Sequence, residues 1–408
     1  RAVPYLEESV EMLRRLYPLA TFPDGHKDLA DGLNNLGNAR LFMGEPGRAL
    51  PCLEEALAMC RRVFPEVHPN VATVLHNLAS VLLATSDPGL AVPHLEEALA
   101  MCRRLYPPDV FPNGHPNVAD VLSAKGKALM TLGAPTDAVA PLEEALAMRR
   151  RLYPPDAYPD GHLDLALGLN NLGSLLRLLG DPARALPHLD EAVAMWRRLY
   201  PADAPAVGSP RLAMSLSNLA AALFDLGEPA RAVPYLEEAV SIRRRLYPSD
   251  TYPSGHPDLA EVLNNLGAAL TFLDERDRAV PYCEEAVAML RRLYPEDAYP
   301  DGHPVLATSL TVLGELRRSL RAPALALPDL EEAVAMCRRL YPKDAFPSGH
   351  PDLAACLNTC AVILQDLGQY DNSIKYHIES IEIYLSIALS RHTSDEITPA
   401  ELIVSGDR

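Results

Sequence analysis

The chain lacks most of the features that catalysis, membrane insertion or disulfide bonding would require. No apolar run approaches the roughly 18 residues that cross a bilayer, so we expect no membrane-spanning helix. It contains no glycine-rich phosphate loop, nucleophile elbow or zinc-ligand spacing, which predicts no enzyme activity, cofactor or metal site. The 7 cysteines are odd in number and scattered, a pattern that favours a reducing, cytoplasmic compartment over a disulfide framework.

Positive charge is also scarce. The chain has 37 Lys and Arg against 54 Asp and Glu, which gives a formal net charge of −17. Binding to phosphates depends on clustered Lys and Arg. The acidic balance therefore predicts neither nucleic acid nor an anionic membrane surface as a partner, and most of the basic residues are Arg pairs at one fixed place in a repeat.

The chain does have a regular internal repeat. The triplet Leu-Tyr-Pro recurs with a step of 47 residues between Pro107 and Pro342, and one earlier step is 42 residues. It occurs at residues 16–18, 105–107, 152–154, 199–201, 246–248, 293–295 and 340–342, and Val63-Phe64-Pro65 replaces it once. A fixed period in this range indicates stacked copies of one supersecondary unit, each packed on its neighbours.

Residues 26–65 show what one repeat contains. Leu33 and Leu36 belong to an i, i+3, i+4 apolar pattern that predicts an amphipathic helix. Gly44 interrupts this pattern, and Pro46 starts a second helix that ends before Pro65. Each repeat is therefore expected to be a helix–turn–helix hairpin. One His opens most repeats, and we expect it to act at the start of the helix, because one His per repeat cannot complete a metal site.

The order of small and large residues resembles the tetratricopeptide repeat, in its longer kinesin-light-chain-like form. The residues that carry the resemblance are Leu33, Leu36, Gly37, Gly44, Ala49, Leu53 and Ala56, the run Leu169-Asn170-Asn171-Leu172-Gly173, and the Glu-Glu-Ala of the second helix. The resemblance implies an all-α fold, a right-handed superhelical solenoid of hairpins. It implies protein or peptide binding as the general function.

The repeats divide the chain as follows. A solenoid is predicted over residues 1–390, with a half repeat at 2–18 and a polar C-terminal extension at 391–408. Full repeats are expected to start near residues 26, 68, 115, 162, 209, 256, 303 and 350. The last repeat departs from the others, as a capping repeat does. The chain begins inside a repeat and without Met, so we expect it to be part of a longer protein.

Asparagine is the strongest candidate for a binding residue. One position of the first helix is polar in every repeat, and the next position is often Asn as well. An amide offers both a donor and an acceptor to the backbone of an extended peptide. The predicted peptide-binding residues are Asn34, Asn35, Asn77, Asn170, Asn171, Asn218, Asn264, Asn265 and Asn358. The alternative is structural: these amides cap loops or bond to a neighbouring helix.

Two unusual residues stand out against the repeat pattern. Lys125 occupies a place on the packing face where other repeats have Leu or Cys, so either its stem reaches outward or an acidic group meets it. Trp196, the single tryptophan, is expected to pack between repeats or to serve as an exposed anchor.

Two functions are compatible with these observations. The first is a non-catalytic scaffold whose concave groove binds a peptide or protein segment. The second is a regulatory or sensor arm of a larger enzyme, such as a protease or a nucleotide-driven switch outside these residues, whose contacts would be intramolecular.

Overall fold

A computed structural model describes residues 2–64, 66–201 and 209–395 of the chain, and the side chains of the last helix to residue 389. Over these residues the protein is built from helices alone. Seventeen α-helices and no β-strand occur in these ranges, which confirms the all-α prediction. The helices are α1 (Val3–Leu16), α2 (Lys27–Phe42), α3 (Pro46–Val63), α4 (Pro69–Ala84), α5 (Pro88–Leu105), α6 (Pro116–Thr131), α7 (Pro135–Leu152), α8 (Leu163–Leu178), α9 (Pro182–Leu199), α10 (Ser209–Asp225), α11 (Pro229–Leu246), α12 (Pro257–Phe272), α13 (Arg276–Leu293), α14 (Pro304–Ser319), α15 (Pro323–Leu340), α16 (Pro351–Asp366) and α17 (Tyr370–Asp395).

The helices pair into hairpins, each made of a helix A and a helix B. From α2 onward the even-numbered helices are A helices, each packed on the odd-numbered B helix that follows it. The unpaired α1 is a B helix. The chain divides into two compact units, residues 1–204 and 205–408. Within each unit every B helix also packs on the next A helix, so the core is a continuous row of interfaces.

A histidine starts most of the A helices. The Nδ1 atom of His256 accepts a hydrogen bond from the backbone N–H of Asp258 at 3.2 Å, which satisfies one of the free N–H groups of the first turn. Pro257 occupies the first helical position, where its missing N–H costs nothing. The same cap is made by His26, His68, His115, His162, His303 and His350, as expected for a helix-start role.

Side chains at the interfaces between repeats are matched in size. One B-helix position faces one position of the next A helix, where Leu13 meets Gly32 and Arg149 meets Gly168. In the last such interface Cys337 and Cys356 meet, with their Sγ atoms 3.5 Å apart. In the first two of these interfaces a glycine thus makes room for a large side chain of the other helix, which keeps the helices close-packed.

The two unusual residues of the repeat pattern have clear places. The Nζ atom of Lys125 lies 2.8 Å from a carboxylate oxygen of Glu96 on the preceding B helix, so an acidic group of the chain itself meets this cation. The Trp196 ring is fully buried at the end of α9 and lies nearly parallel to the Tyr200 ring, with centroids 5.9 Å apart. It is therefore a packing residue and not an exposed anchor.

The terminal helix is longer than the other B helices. Helix α17 runs from Tyr370 to Asp395 and so continues past residue 391, where the polar extension was expected to begin. The rest of that predicted extension, residues 396–408, lies outside the described residues.

Candidate functional site

The A helices of successive repeats form one side of each unit. Helices α2, α4 and α6 contact one another in order, and so do α12, α14 and α16. We call this side the A-helix face. It carries the predicted Asn positions, because they lie on the A helices away from the Leu residues that pack on helix B.

The predicted Asn residues differ widely in exposure. Asn35, Asn265 and Asn358 are exposed, whereas Asn34, Asn77, Asn171, Asn218 and Asn264 are half-buried. Asn170 is only 3 % exposed and has an interaction partner within the chain. The nine amides are therefore not equally available to a ligand, although the sequence pattern treats them alike.

Some of these polar side chains bond to each other between repeats. The Asn77 amide nitrogen donates to the Asn34 amide oxygen at 2.8 Å, across α2 and α4. The Asn70 amide likewise donates to Asp31 at 2.8 Å. In the second unit the Thr359 hydroxyl donates to Glu315 at 3.0 Å. Asn34 and Asn77 thus bond to each other across neighbouring repeats, the kind of contact that the structural alternative describes.

Apolar side chains lie exposed on the same face, at the ends of the A helices. Phe42, Leu178 and Phe272 occupy equivalent positions, and Phe42 is 92 % exposed. Each follows an Asn by seven residues, a spacing that puts both side chains on one side of a helix, two turns apart. The three pairs are Asn35 with Phe42, Asn171 with Leu178, and Asn265 with Phe272.

The second unit concentrates these features. Phe272 on α12 is 68 % exposed and meets Phe224 of α10 edge to face, with ring centroids 5.4 Å apart. Glu261 and Asn265 are both exposed one turn apart on α12, in line with Phe272. We call these four residues the aromatic patch. It combines an apolar surface, an amide and a negative charge. Sequence reasoning found the amide but missed the aromatic pair; the seven-residue spacing from Asn265 is a signal for Phe272 but not for Phe224.

The recurring Tyr of the Leu-Tyr-Pro triplet has a structural role that the sequence did not reveal. The Tyr247 ring stacks on the His256 ring at 3.6 Å, and Tyr252 meets the same His edge-on. The Tyr247 hydroxyl donates to Asp258 at 3.2 Å. Stacked pairs of this kind are also made by Tyr17 and His26, Phe64 and His68, Tyr106 and His115, Tyr153 and His162, Tyr294 and His303, and Tyr341 and His350. The stack ties the end of one repeat to the start of the next.

An ion-pair ladder runs along the B helices. The Arg244 guanidinium donates to the Glu285 carboxylate of the next B helix at 2.6 Å. Equivalent pairs join Arg14 to Glu55, Arg61 to Glu97, Arg103 to Glu144, Arg150 to Glu191, Arg291 to Glu332 and Arg338 to Glu379. In this ladder the second Glu of a Glu pair joins neighbouring repeats. The signal of the ladder in the sequence is a near-constant separation of 41 residues between Arg and Glu.

We expect each rung of this ladder to stabilise the array only slightly. Arg244→Ala and Glu285→Ala should each lower the free energy of unfolding by less than about 1 kcal/mol, with a coupling energy of about 0.2–1 kcal/mol, because both side chains are well exposed. A double-mutant cycle with unfolding in urea measures the coupling energy. The cycle is repeated in about 1 M salt, where the Debye length is about 3 Å and the charges are screened. Arg245, which points about 100° further round the helix, is the matched control and should not couple to Glu285.

The cysteines are core residues. All seven are free and buried, and burial raises the pKa of the Cys360 thiol to about 12, which keeps it protonated. No group of three or more His, Cys, Asp or Glu with metal-binding geometry occurs among the described residues. None of the helices in the described ranges is long and apolar enough to cross a membrane.

Solved structures share this architecture. The apo form of the quorum sensor NprR from B. thuringiensis aligns with a TM-score of 0.57 and 14 % identity, over 88 % of each chain. The apo form of RapI aligns with a TM-score of 0.57 and 12 % identity, over 88 % of this chain and 99 % of that one. TPR-like repeats assigned to a kinesin light chain of Podosopora anserina give a TM-score of 0.45 and 20 % identity, over 54 % of this chain and 98 % of theirs. At these identities the likeness concerns the fold alone.

Family models match along almost the whole array. A model described as tetratricopeptide repeat matches residues 28–104, 164–245 and 211–292, and a second model of the same description matches 118–157, 306–352 and 353–392. No curated protein matches the chain in sequence. These matches confirm the resemblance drawn from the small and large residues of each hairpin. The chain belongs to the tetratricopeptide repeat family.

Proposed function

We propose that the protein is a non-catalytic interaction scaffold that binds an extended peptide or protein segment on its A-helix face. The observation that carries this proposal is the aromatic patch: Phe272 and Phe224 leave an apolar surface open to solvent, two turns along α12 from the exposed amide of Asn265. Exposed apolar surface rimmed by polar groups marks interaction sites. Tetratricopeptide arrays generally serve as protein-binding scaffolds, which agrees with this function.

The patch defines the chemistry of the partner. Aromatic rings bind an apolar side chain, and they supply large contact area with few rotatable bonds. The Asn265 amide can donate to and accept from a peptide backbone. The exposed carboxylate of Glu261 lies three helical turns from Phe272, about 16 Å along α12, and in a chain of net charge −17 it favours a basic residue in the ligand. The preferred ligand is an extended segment with an apolar side chain and, about five residues away at about 3.3 Å per residue, a Lys or Arg.

Asn264 adds a second polar contact in the same repeat. Its amide oxygen is buried and accepts no hydrogen bond within the described residues. A buried acceptor without a donor costs free energy, so turning the Asn264 side chain outward to meet a peptide N–H would give this oxygen the hydrogen bond that it lacks. We therefore place the peptide-binding amides in Asn264, Asn265, Asn35, Asn171 and Asn358, and assign Asn34 and Asn77 to the contacts between repeats.

A selected ligand tests this function. Peptides are selected from a random display library against the intact protein, and their dissociation constants are measured by fluorescence anisotropy. We expect Phe272→Ala to weaken binding by about 30-fold, the effect of losing a hot-spot aromatic of about 2 kcal/mol. Asn265→Ala should cost about fivefold, equivalent to one hydrogen bond of about 1 kcal/mol.

The controls separate binding from folding. Leu325 is also exposed but lies on a B helix, so Leu325→Ala should leave the affinity unchanged. The melting temperature of Phe272→Ala should stay close to that of the parent, because most of the ring is already in water. Peptides that bind equally well to the parent and to the Phe272→Ala, Asn265→Ala variant would refute the A-helix face as the binding site.

The cytoplasmic compartment, and the alternative of a regulatory arm in a larger enzyme, remain predictions from the sequence. If the protein is a regulatory arm of a larger enzyme, the partner of the A-helix face lies in the same polypeptide. A longer chain that contains a protease or nucleotide-hydrolysing domain, together with loss of its regulation in Phe272→Ala, would favour that alternative over a separate partner.

A further inference from the structure

Helix α17 leaves an apolar side open to solvent. On one side it packs against α16, where the buried Ser373 and Ser380 hydroxyls donate to the carbonyl oxygens of Ala361 and Ala354 at 2.8 and 2.7 Å. About a third of a turn away lie four aliphatic side chains, each more than half exposed: Ile374, Ile378, Ile381 and Leu385. We call these four the terminal stripe. A capping helix would be expected to carry polar residues there, and isolated proteins rarely expose a continuous apolar surface of this kind.

Two of these residues replace charges that the rest of the array retains. The equivalents of Ile378 in the other B helices are all acidic: Glu7, Glu54, Glu96, Glu143, Asp190, Glu237, Glu284 and Glu331. The equivalents of Leu385 are all Arg: Arg14, Arg61, Arg103, Arg150, Arg197, Arg244, Arg291 and Arg338. The last B helix therefore lacks the Arg of the ion-pair ladder, at Leu385, and the acidic residue that precedes the ladder Glu, at Ile378.

The two substitutions favour an occupant other than a further repeat of the same type. In each ladder rung the Arg of one B helix meets a Glu of the next, as in Arg338 with Glu379 at 2.7 Å. Leu385 stands where that Arg would be, so an incoming repeat would lose this rung and would set its Glu beside an aliphatic side chain. The same holds for head-to-tail stacking of a second chain through α1, whose Glu8 holds the acidic place of the ladder.

The spacing of the stripe is that of a helix–helix seam. Ile374, Ile378, Ile381 and Leu385 follow one another by four, three and four residues, the a/d pattern by which two helices interlock their apolar side chains. An occupant with the same pattern would therefore match it best. The chain itself supplies such an occupant in the α17 of another copy.

Charges beside the stripe select the direction of pairing. Lys375 and Glu382 are both exposed and both follow a seam residue, Ile374 and Ile381 respectively. If two copies of α17 pair antiparallel, Ile378 of each meets Ile381 of the other and Ile374 meets Leu385. Lys375 of each copy then lies beside Glu382 of the other, twice in a two-fold symmetric dimer. A parallel pair would instead set Lys375 near Tyr370 and Glu382 near His377 of the other copy, and would form no Lys375–Glu382 pair.

We propose that the protein forms a two-fold symmetric dimer through antiparallel pairing of α17 at the terminal stripe. The apolar side chains provide the attraction, and the two Lys375–Glu382 pairs set the direction. The dimer leaves the A-helix face free, so it would present two copies of the aromatic patch to one ligand or to two.

The mass of the intact chain in solution is the first test. Multi-angle light scattering and sedimentation equilibrium in the micromolar range should give twice the chain mass of 44.5 kDa. The double variant Ile378→Glu, Leu385→Arg restores the residue types that other B helices carry, so it should fold normally and be monomeric. Leu325→Arg is the control: it places a charge at another exposed position, outside the terminal stripe, where several repeats have Arg. This variant should remain dimeric. A monomeric parent, or a double variant that stays dimeric, overturns the proposal.

Cross-linking tests the direction. All seven native cysteines are buried, so a new thiol in the stripe can be followed by itself. A mixture of Ile378→Cys and Ile381→Cys chains should form the mixed disulfide dimer on mild oxidation, faster than either variant alone. If the Ile378→Cys variant alone forms its disulfide dimer faster than the mixture does, the pairing is parallel instead. A third outcome is a monomeric parent whose Ile378→Cys thiol reacts with a thiol reagent only after residues 396–408 are removed. In that case the chain's own C-terminal segment covers the terminal stripe, and the dimer is excluded.

Discussion

Replacing Gly255 with Ala is expected to lower the free energy of unfolding by about 2–5 kcal/mol. Two causes add up at this position. Gly255 has a φ of +88°, a conformation that costs an L-residue about 1–2 kcal/mol. A Cβ atom placed there would also lie 2.2 Å from the Cγ atom of the Met289 side chain, which is held in the core, and overpacking of this kind costs about 1–3 kcal/mol.

The chain offers a matched control for this change. Gly227 has a φ of +76°, but a Cβ atom there would meet nothing within 4 Å. Gly227→Ala should therefore lose only the backbone contribution, about 1–2 kcal/mol. Urea unfolding followed by circular dichroism gives both values. Equal losses in the two variants would show that Met289 yields freely and that the close contact is not a constraint.

This glycine also bears on function. Gly255 sits immediately before the His256 cap, and α12, which starts there, carries Asn265 and Phe272. Equivalent glycines lie against the Met of the same hairpin in other repeats: Gly25, Gly114, Gly161 and Gly302. A variant that shifts this corner would tilt the helix that bears the aromatic patch, so Gly255→Ala should weaken peptide binding as well as stability.

The second large effect is expected from pH. The caps require an unprotonated Nδ1 atom, because that atom accepts the backbone hydrogen bond. Burial lowers the pKa of His115, His256 and His303 below the ordinary value of 6.5. The unfolded chain therefore binds more protons than the folded one as the pH falls through 6.5, and stability decreases with falling pH.

The expected loss is sizeable. Stability from these caps is fully present above pH 6.5 and is lost as the pH falls through the lower folded pKa values. With about 1 kcal/mol for each cap, the three caps contribute at most about 3 kcal/mol, and the part lost by pH 5 is set by how far each folded pKa lies below 6.5. Melting temperatures between pH 7.5 and 5 measure the loss, since most carboxylates stay ionised there.

Asparagine tests whether the caps cause this dependence. Asn is a strong N-cap residue that does not titrate. The triple variant His115→Asn, His256→Asn, His303→Asn should keep most of its stability at pH 7.5 and should lose much less than the parent on acidification. A triple variant with the same decline as the parent would trace the pH dependence to other groups.

Much of the fold follows from local residue chemistry. The apolar spacing, the Pro at the first helical position and the Gly between helices place the start of each hairpin, and the observed helices begin at Lys27, Pro69 and Pro116, each directly after its His. The repeat pattern also identifies the family, because a fixed period repeats the same evidence many times. These features depend on neighbours a few residues away along the chain.

The candidate site was predictable only in part. The sequence pointed to the A-helix face and to its amides, yet it could not distinguish Asn170, which is 3 % exposed, from the exposed Asn358. These two residues occupy the equivalent position of their repeats. Their difference arises from the side chains of the flanking helices, which come from other repeats.

What the sequence determined by itself was the period, the hairpin, the family and the acidic character of the surface. The tertiary structure decided how the parts are used. It set Tyr247 against His256, joined Arg244 to Glu285, and left Phe272 and the stripe of Ile378 and Leu385 open to solvent. The physical reason is distance along the chain: helix formation depends on residues within one or two turns, whereas exposure and pairing between repeats depend on residues about one period away.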